Sequence, residues 1–253
     1  MPQDYGTYTE ISINALKFNP RSKEVIDRKQ EILTSIQDHY KSNPDSVLFY
    51  GFSPLMLATN AKQISVTKIS DVTKKYLDSL GVKYTYIDAI DILKHKKQFN
   101  WVVAAEEFFT FASTEEQQRI NVEILAELAK DLIITTLKDY KNQDFKEREF
   151  SQPLSVRNGR ESKLFLEYHA HDYDEKNAWD TSVYEIQGSD VVTYGPFSRR
   201  SMFFKQLAKF SIDAGAKNFY VHKNLMYKSL IKKNYEHVIS MRFAKDGRNK
   251  TSR

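Results

Sequence analysis

Five short apolar runs occupy the first 137 residues, and between them lie stretches that read as helix or turn. They are VLFY (47–50), ISVTKI (64–69), VKYTYI (82–87), NWVVAA (100–105) and DLIITTL (131–137). DLIITTL carries no polar face and is bounded by charge, the signature of a strand buried on both sides. The intervening segments carry helix signals. In 22–40, Val25, Ile26, Ile32, Leu33 and Ile36 recur at helical spacing. Ser53 can cap and Pro54 can open a short helix, and Ser70 opens another that Gly81 stops. In 113–130, Ser113 stands three residues before Glu116, the spacing of a capping box, and Ile120, Ile124 and Leu128 follow on one face. Strands alternating with helices at this spacing predict an α/β fold, a doubly wound and mostly parallel sheet with helices on both faces. In such a sheet ligands sit beyond the carboxyl ends of the strands. The residues to watch are therefore 51–53, 68–71, 88–91, 106–109 and 138–142.

After Tyr140 the alternation breaks. Residues 139–162 are polar, contain Pro and Gly, and read as a loop or lid. Two strand-like runs follow at 163–173 and 182–188, expected to pair as a hairpin. The segment 198–215 reads as an amphipathic helix on Phe203, Leu207 and Phe210. NFYVH and HVISMRF read as late antiparallel strands with a short helix between them. No linker divides the chain, so 1–253 is expected to form one domain, with 1–44 as a helical lead-in and 244–253 as a basic tail.

Composition narrows the chemistry. The chain has no cysteine, which excludes disulfides, thiolate nucleophiles and cysteine-ligated metal sites. Residues 1–12 lack a signal pattern and no apolar run reaches the length of a membrane span, so a cytoplasmic protein with no membrane partner is expected. The net charge of +5 arises mainly after Arg199, a gradient that suits an anionic partner, including nucleic acid.

From VLFYGFSP, YIDAIDIL and VVAAEEFF onward, the order of parts resembles the class I S-adenosylmethionine-dependent methyltransferases over residues 45–243. The resemblance implies S-adenosylmethionine as cofactor, with the turn after the first strand beside its methionine part. It implies cofactor contacts from Tyr50, Gly51, Phe52, Ser53, Asp71, Asp88, Ala89 and Glu106, Asp88 facing the adenine amino group. Two departures stand out: a single glycine in YGFSP, and Lys68 where family members carry a ribose-binding acid. Phe52→Ala is expected to leave the fold intact. At the ends of strands four and five, Glu106, Glu107 and Tyr140 are candidate catalytic groups and Asp139 a candidate acceptor contact.

EYHAHDYD (167–174) is the densest polar cluster, and on a strand Glu167, His169 and His171 share one face. His169 is a candidate base and His171 a candidate acceptor contact; a structural hairpin and a metal site are the other readings. Arg199 and Arg200, placed by the pattern in the first turn of a helix, form a candidate carboxylate or phosphate clamp. The expected activity is methyl transfer to a small or medium-sized acceptor. The alternative is a catalytically inactive methyltransferase-like module that binds nucleic acid or a protein complex through its basic C-terminal third. A nicotinamide-dependent oxidoreductase is disfavoured, because the first turn lacks G-x-G-x-x-G.

Overall fold

The structure is a computed structural model that describes residues 5–19, 22–104, 107–138, 147–151, 153–171, 177–228 and 235–243. Two N-terminal helices, α1 (Tyr5–Phe18) and α2 (Ser22–Tyr40), lead into the central sheet. Its strands are β1 (Ser46–Tyr50), β2 (Gln63–Thr67), β3 (Thr85–Tyr86), β4 (Phe99–Ala104) and β5 (Ala129–Leu137). Helices α3 (Leu55–Ala58), α4 (Asp71–Ser79) and α5 (Glu115–Leu128) connect them. The chain then builds β6 (Arg148–Phe150), β7 (Leu154–Asn158), β8 (Glu161–His171), β9 (Ala178–Gln187) and β10 (Asp190–Arg200). It closes with α6 (Phe204–Asp213), β11 (Asn218–Lys228) and β12 (Tyr235–Arg242).

The central sheet runs β11-β12-β5-β4-β1-β2-β3. Strands β1 to β5 pair in parallel, while β12 is antiparallel to both β5 and β11. The order reverses between β1 and β4, the kind of point at whose carboxyl ends doubly wound sheets place their ligands. Strand β1 shows why the sequence is apolar without alternation. Val47 and Phe49 enter a core with α2, α3 and α4, whereas Leu48 and Tyr50 enter one with α1, α5 and α6. Each face of the sheet is covered, as parallel pairing requires.

Beyond β5 several sequence expectations change. The expected 139–162 loop contains β6 and β7, and both pair with β8. With β9 and β10 they form a second, antiparallel sheet lying over the α1 side of the first. Strand β10 takes in Arg199 and Arg200, so the helix begins only at Phe204 and the two arginines are not in its first turn. Where a short helix was expected, β11 continues to Lys228; residues 229–234 lie outside the described residues. Helix α5 is capped by Thr114, which accepts from the Gln117 N–H at 3.1 Å, and not by Ser113. Ser70 caps α4 as the sequence predicts, accepting from the Thr73 N–H.

Candidate active site

The turn after β1 is tight and hinges on one glycine. Gly51 sits at φ +77°, where a side chain is strained, and its N–H donates to Thr67 O at 2.9 Å, tying the tips of β1 and β2 together. Helix α1 lies directly on this turn. A Cβ built at Gly51 would stand 2.4 Å from the Tyr5 ring and 3.3 Å from the Thr9 methyl. One residue on, a Cβ at Gly6 would stand 2.7 Å from Lys68 O, so glycine lets the helix touch the end of β2. Thr9 Oγ1 accepts from the Phe52 N–H at 3.3 Å. Tyr5, Tyr50, Phe108 and Phe111 complete an aromatic plug over the β1–β4 boundary, with Tyr5 edge-on to both phenylalanines. Burial pushes the Tyr50 phenol pKa upward.

The predicted contacts in this turn divide accordingly. Tyr50 and Gly51 lie under α1. Phe52 points the other way, into the core against Tyr76, and is fully buried. The expectation that Phe52→Ala leaves the fold intact is therefore corrected. The Ser53 hydroxyl is buried and accepts from the Leu55 N–H at 3.3 Å, a local turn contact. Lys68 takes a left-handed φ of +54° at the end of β2.

At the other end the crevice is open. Asp88 is exposed and its Oδ1 accepts from the Ile90 N–H at 3.0 Å, which shapes the turn after β3. Ala89 is half-buried, Ile90 is 90% exposed and Tyr86 is exposed. Asp71 is exposed as well and pairs with Lys74 at 3.0 Å. That ion pair lowers the Asp71 pKa, chiefly through the hydrogen bond.

Glu107, at the end of β4, is fully buried with φ +57°. Its carboxylate meets the Arg199 guanidinium at 2.8 Å, and Arg199 is only 1% exposed. Arg199 Nε donates to Thr110 Oγ1 at 2.9 Å, and that hydroxyl donates to Glu107 O at 2.8 Å. The guanidinium also lies over the rings of Phe111, Tyr8 and Trp179. Glu107 is thus a structural anion clamped to Arg199, and the pair joins the second sheet to the first. Glu106, Asp139 and Tyr140, the other candidates at these strand ends, lie outside the described residues.

On β8 the expected common face is present. Glu167 is buried; one oxygen accepts from Tyr8 OH at 3.2 Å and the other lies 3.6 Å from His169 Nε2. His169 Nδ1 is 3.1 Å from Thr181 Oγ1, which also accepts from the Trp179 indole N–H at 3.0 Å. Burial first, then the Glu167 charge, raises the Tyr8 pKa well above its ordinary value. His171 lines a cavity of about 440 Å³ with Ser113, Trp179, Asp180, Ser198 and Arg199. Burial lowers the His171 pKa below its ordinary 6.5, so the ring is neutral near pH 7. Among the described residues no group of three His, Asp or Glu side chains could hold a metal ion. Arg200 faces away from this cavity and lines another.

The sequence reading missed α1 as a site element. Its signal was present: Tyr5, Tyr8, Ile11 and Ala15 recur at three- and four-residue intervals in a segment read only as a lead-in.

No protein-family model matches the chain, and no curated protein sequence is similar to it. Solved structures are similar in fold. DesVI from Streptomyces venezuelae shares 12% identity at a TM-score of 0.67, covering 88% of this chain and 94% of that one. The CcbJ methyltransferase from Streptomyces caelestis shares 14% at 0.60, covering 87% and 90%. An amino pentose methyltransferase of calicheamicin biosynthesis from Micromonospora echinaspora, solved with bound S-adenosylmethionine, shares 8% at 0.62, covering 86% and 91%. The fold is that of the class I S-adenosylmethionine-dependent methyltransferases, with antiparallel strands at the C-terminal edge of a mostly parallel sheet.

Proposed function

We propose that this methyltransferase fold carries out S-adenosylmethionine-dependent methyl transfer to a small acceptor, and that α1 must withdraw its first turn for the cofactor to seat. The observation that carries the reading is the Gly51 turn at the point where strand order reverses, with Asp88 open to solvent across the same crevice. The adenosine end fits the residues present: Asp88 offers a carboxylate to an amino group, and Ala89 leaves room for a flat ring. The methionine end fits once Tyr5 leaves Gly51. The cofactor supplies an activated methyl group, so the protein needs to align a nucleophile, exclude water and accept one proton.

The chain's own groups serve those tasks as follows. The acceptor lies in the cavity lined by His171 and Trp179, under the second sheet. Neutral His171 takes the proton that the acceptor loses. The Tyr8–Glu167–His169 chain fixes α1 against β8. Exposing the Tyr5 ring costs about 1.5–3 kcal/mol, so the closed helix weakens apparent cofactor affinity roughly ten- to a hundredfold. Co-crystals with S-adenosylhomocysteine test the reading: ligand across Gly51 and Asp88 with Tyr5 displaced supports it, and ligand elsewhere overturns it.

One observation favours a second reading. Tyr5 and Gly6 fill the tips of β1 and β2 so closely that the chain could be a catalytically inactive, methyltransferase-like binding module. On that reading its anionic partner docks through the basic C-terminal third, and affinity for DNA falls with added salt.

A further inference from the structure

Strand alternation divides the second sheet into two faces. Phe165, Trp179, Val183 and Phe197 point towards α1 and are buried in its core. Leu164, Leu166, Tyr184 and Ile186 stand between them on the opposite face, half-buried, and among the described residues neither hydrophobic core takes them in. Register lays this outward face out in rows. Leu164 lies beside Ile186, which lies beside Val191, and in the next row Leu166 lies beside Tyr184. In the third, Phe150 lies beside Tyr168 with ring centroids 4.9 Å apart, and Tyr168 beside Ser182. Phe150 is 61% exposed and Val191 58%. No paired residue in these three rows is charged. Charge appears only in the flanking rows: Arg148, Ala170, Asp180 and Ser198 at one end, Arg157 and Ser162 at the other. Four strands about 4.8 Å apart, rising about 3.4 Å per residue from Ser162 to Ala170, span roughly 600 Å² of flat area. The side chains standing on it expose more than that, which approaches the roughly 800 Å² per partner of a stable interface.

We propose that this face pairs with the same face of a second copy of the chain, sheet on sheet, about a twofold axis running between β8 and β9 and parallel to them. Sheets packed in this way lie about 10 Å apart with their strands within about 30° of each other. The axis lays β8 of one copy over β9 of the other. Leu166 then meets the partner's Tyr184 and Leu164 the partner's Ile186, and twofold symmetry makes each contact twice. In the flanking row Asp180 lands over the partner's Ala170, whose small side chain leaves the carboxylate beside the partner's Arg148. Opposite charges thus meet at the rim of an apolar and aromatic centre, which fixes the orientation of the two copies. Ala170, Asp180 and Ser198 also line the His171 cavity, so the partner copy reaches the rim of that cavity. The pairing holds whether or not the chain transfers a methyl group.

The test is sedimentation velocity on the full chain without cofactor. The parent sediments as a dimer at about 100 µM. Leu166→Asp combined with Tyr184→Asp sediments as a monomer at that concentration, with the parent's far-ultraviolet circular dichroism. Val72→Asp, at an exposed apolar position on α4, stays dimeric. Arg148→Asp weakens association about tenfold, and adding Asp180→Arg restores it. Arg148 and Asp180 are exposed, so this exchange decides the matter even where the Leu166 and Tyr184 variant fails to fold. A parent that is monomeric at about 100 µM, a folded Leu166 and Tyr184 variant that stays dimeric, or a charge exchange that fails to restore association overturns the proposal.

Discussion

The two ends of the crevice are built on different principles. At the β1–β4 end, Tyr5, Gly6 and Thr9 of α1 sit on Gly51 and Lys68, and the aromatic side chains around them, Tyr50, Phe52, Phe108 and Phe111, are buried. At the β3 end, Asp88, Ile90 and Tyr86 face solvent with one short turn contact between them. The first end is packed as core and the second is open surface. Substitutions at the closed end should therefore register in folding stability, and those at the open end in binding.

The largest effects test the closed end. Phe52→Ala is expected to cost about 3–5 kcal/mol, because a fully buried ring leaves a cavity against Tyr76. Arg199→Met strands the buried Glu107 carboxylate and is expected to cost about 3–5 kcal/mol in denaturant unfolding, whereas joint replacement of both by apolar residues costs far less. A loss below about 1 kcal/mol for either single change would show that this end is not core.

Tyr5→Ala sharpens the comparison because it should move both readouts in opposite directions. Stability falls by roughly 3 kcal/mol, while S-adenosylhomocysteine binds about tenfold tighter, since the helix no longer competes for the turn. Asp88→Ala reverses the pattern. Its unfolding free energy stays within about 0.5 kcal/mol, and affinity drops about tenfold from loss of a charged hydrogen bond.

The smallest effect is in pH. Burial lowers the His222 pKa from 6.5 to about 4, with His39 adding to the shift. A histidine depressed on folding binds more protons unfolded, so its contribution is complete above pH 6.5 and fades as pH falls towards 4. His222→Gln should flatten that part of the stability profile while leaving affinity at either end of the crevice unchanged.

How far the sequence could be read follows the same division. Strands β1, β2, β4 and β5 were legible because burial on both faces leaves continuous apolar runs. The run expected at 82–87 yields only Thr85–Tyr86 as paired strand, because it ends the sheet and has one neighbour. Strand β10 was hidden by Gly195 and Pro196, which fall at a register shift, and by an aromatic periodicity that extended the α6 pattern back over the arginines. The common face of Glu167, His169 and His171 follows from strand alternation alone. The Glu107–Arg199 pair does not: its members are 92 residues apart, and only the stacking of two sheets brings them together. The closure by α1 was illegible for the same reason. Periodicity marks Tyr5 and Tyr8 as a helix face, yet nothing local says that the face lands on Gly51.

The most direct measurement is calorimetric titration of S-adenosylhomocysteine into the parent chain, Tyr5→Ala and Asp88→Ala under one buffer. Binding that is strengthened by the first substitution and weakened by the second is the predicted result. Heats absent from all three proteins would contradict it, and would mean that the aromatic plug is the permanent occupant of that space.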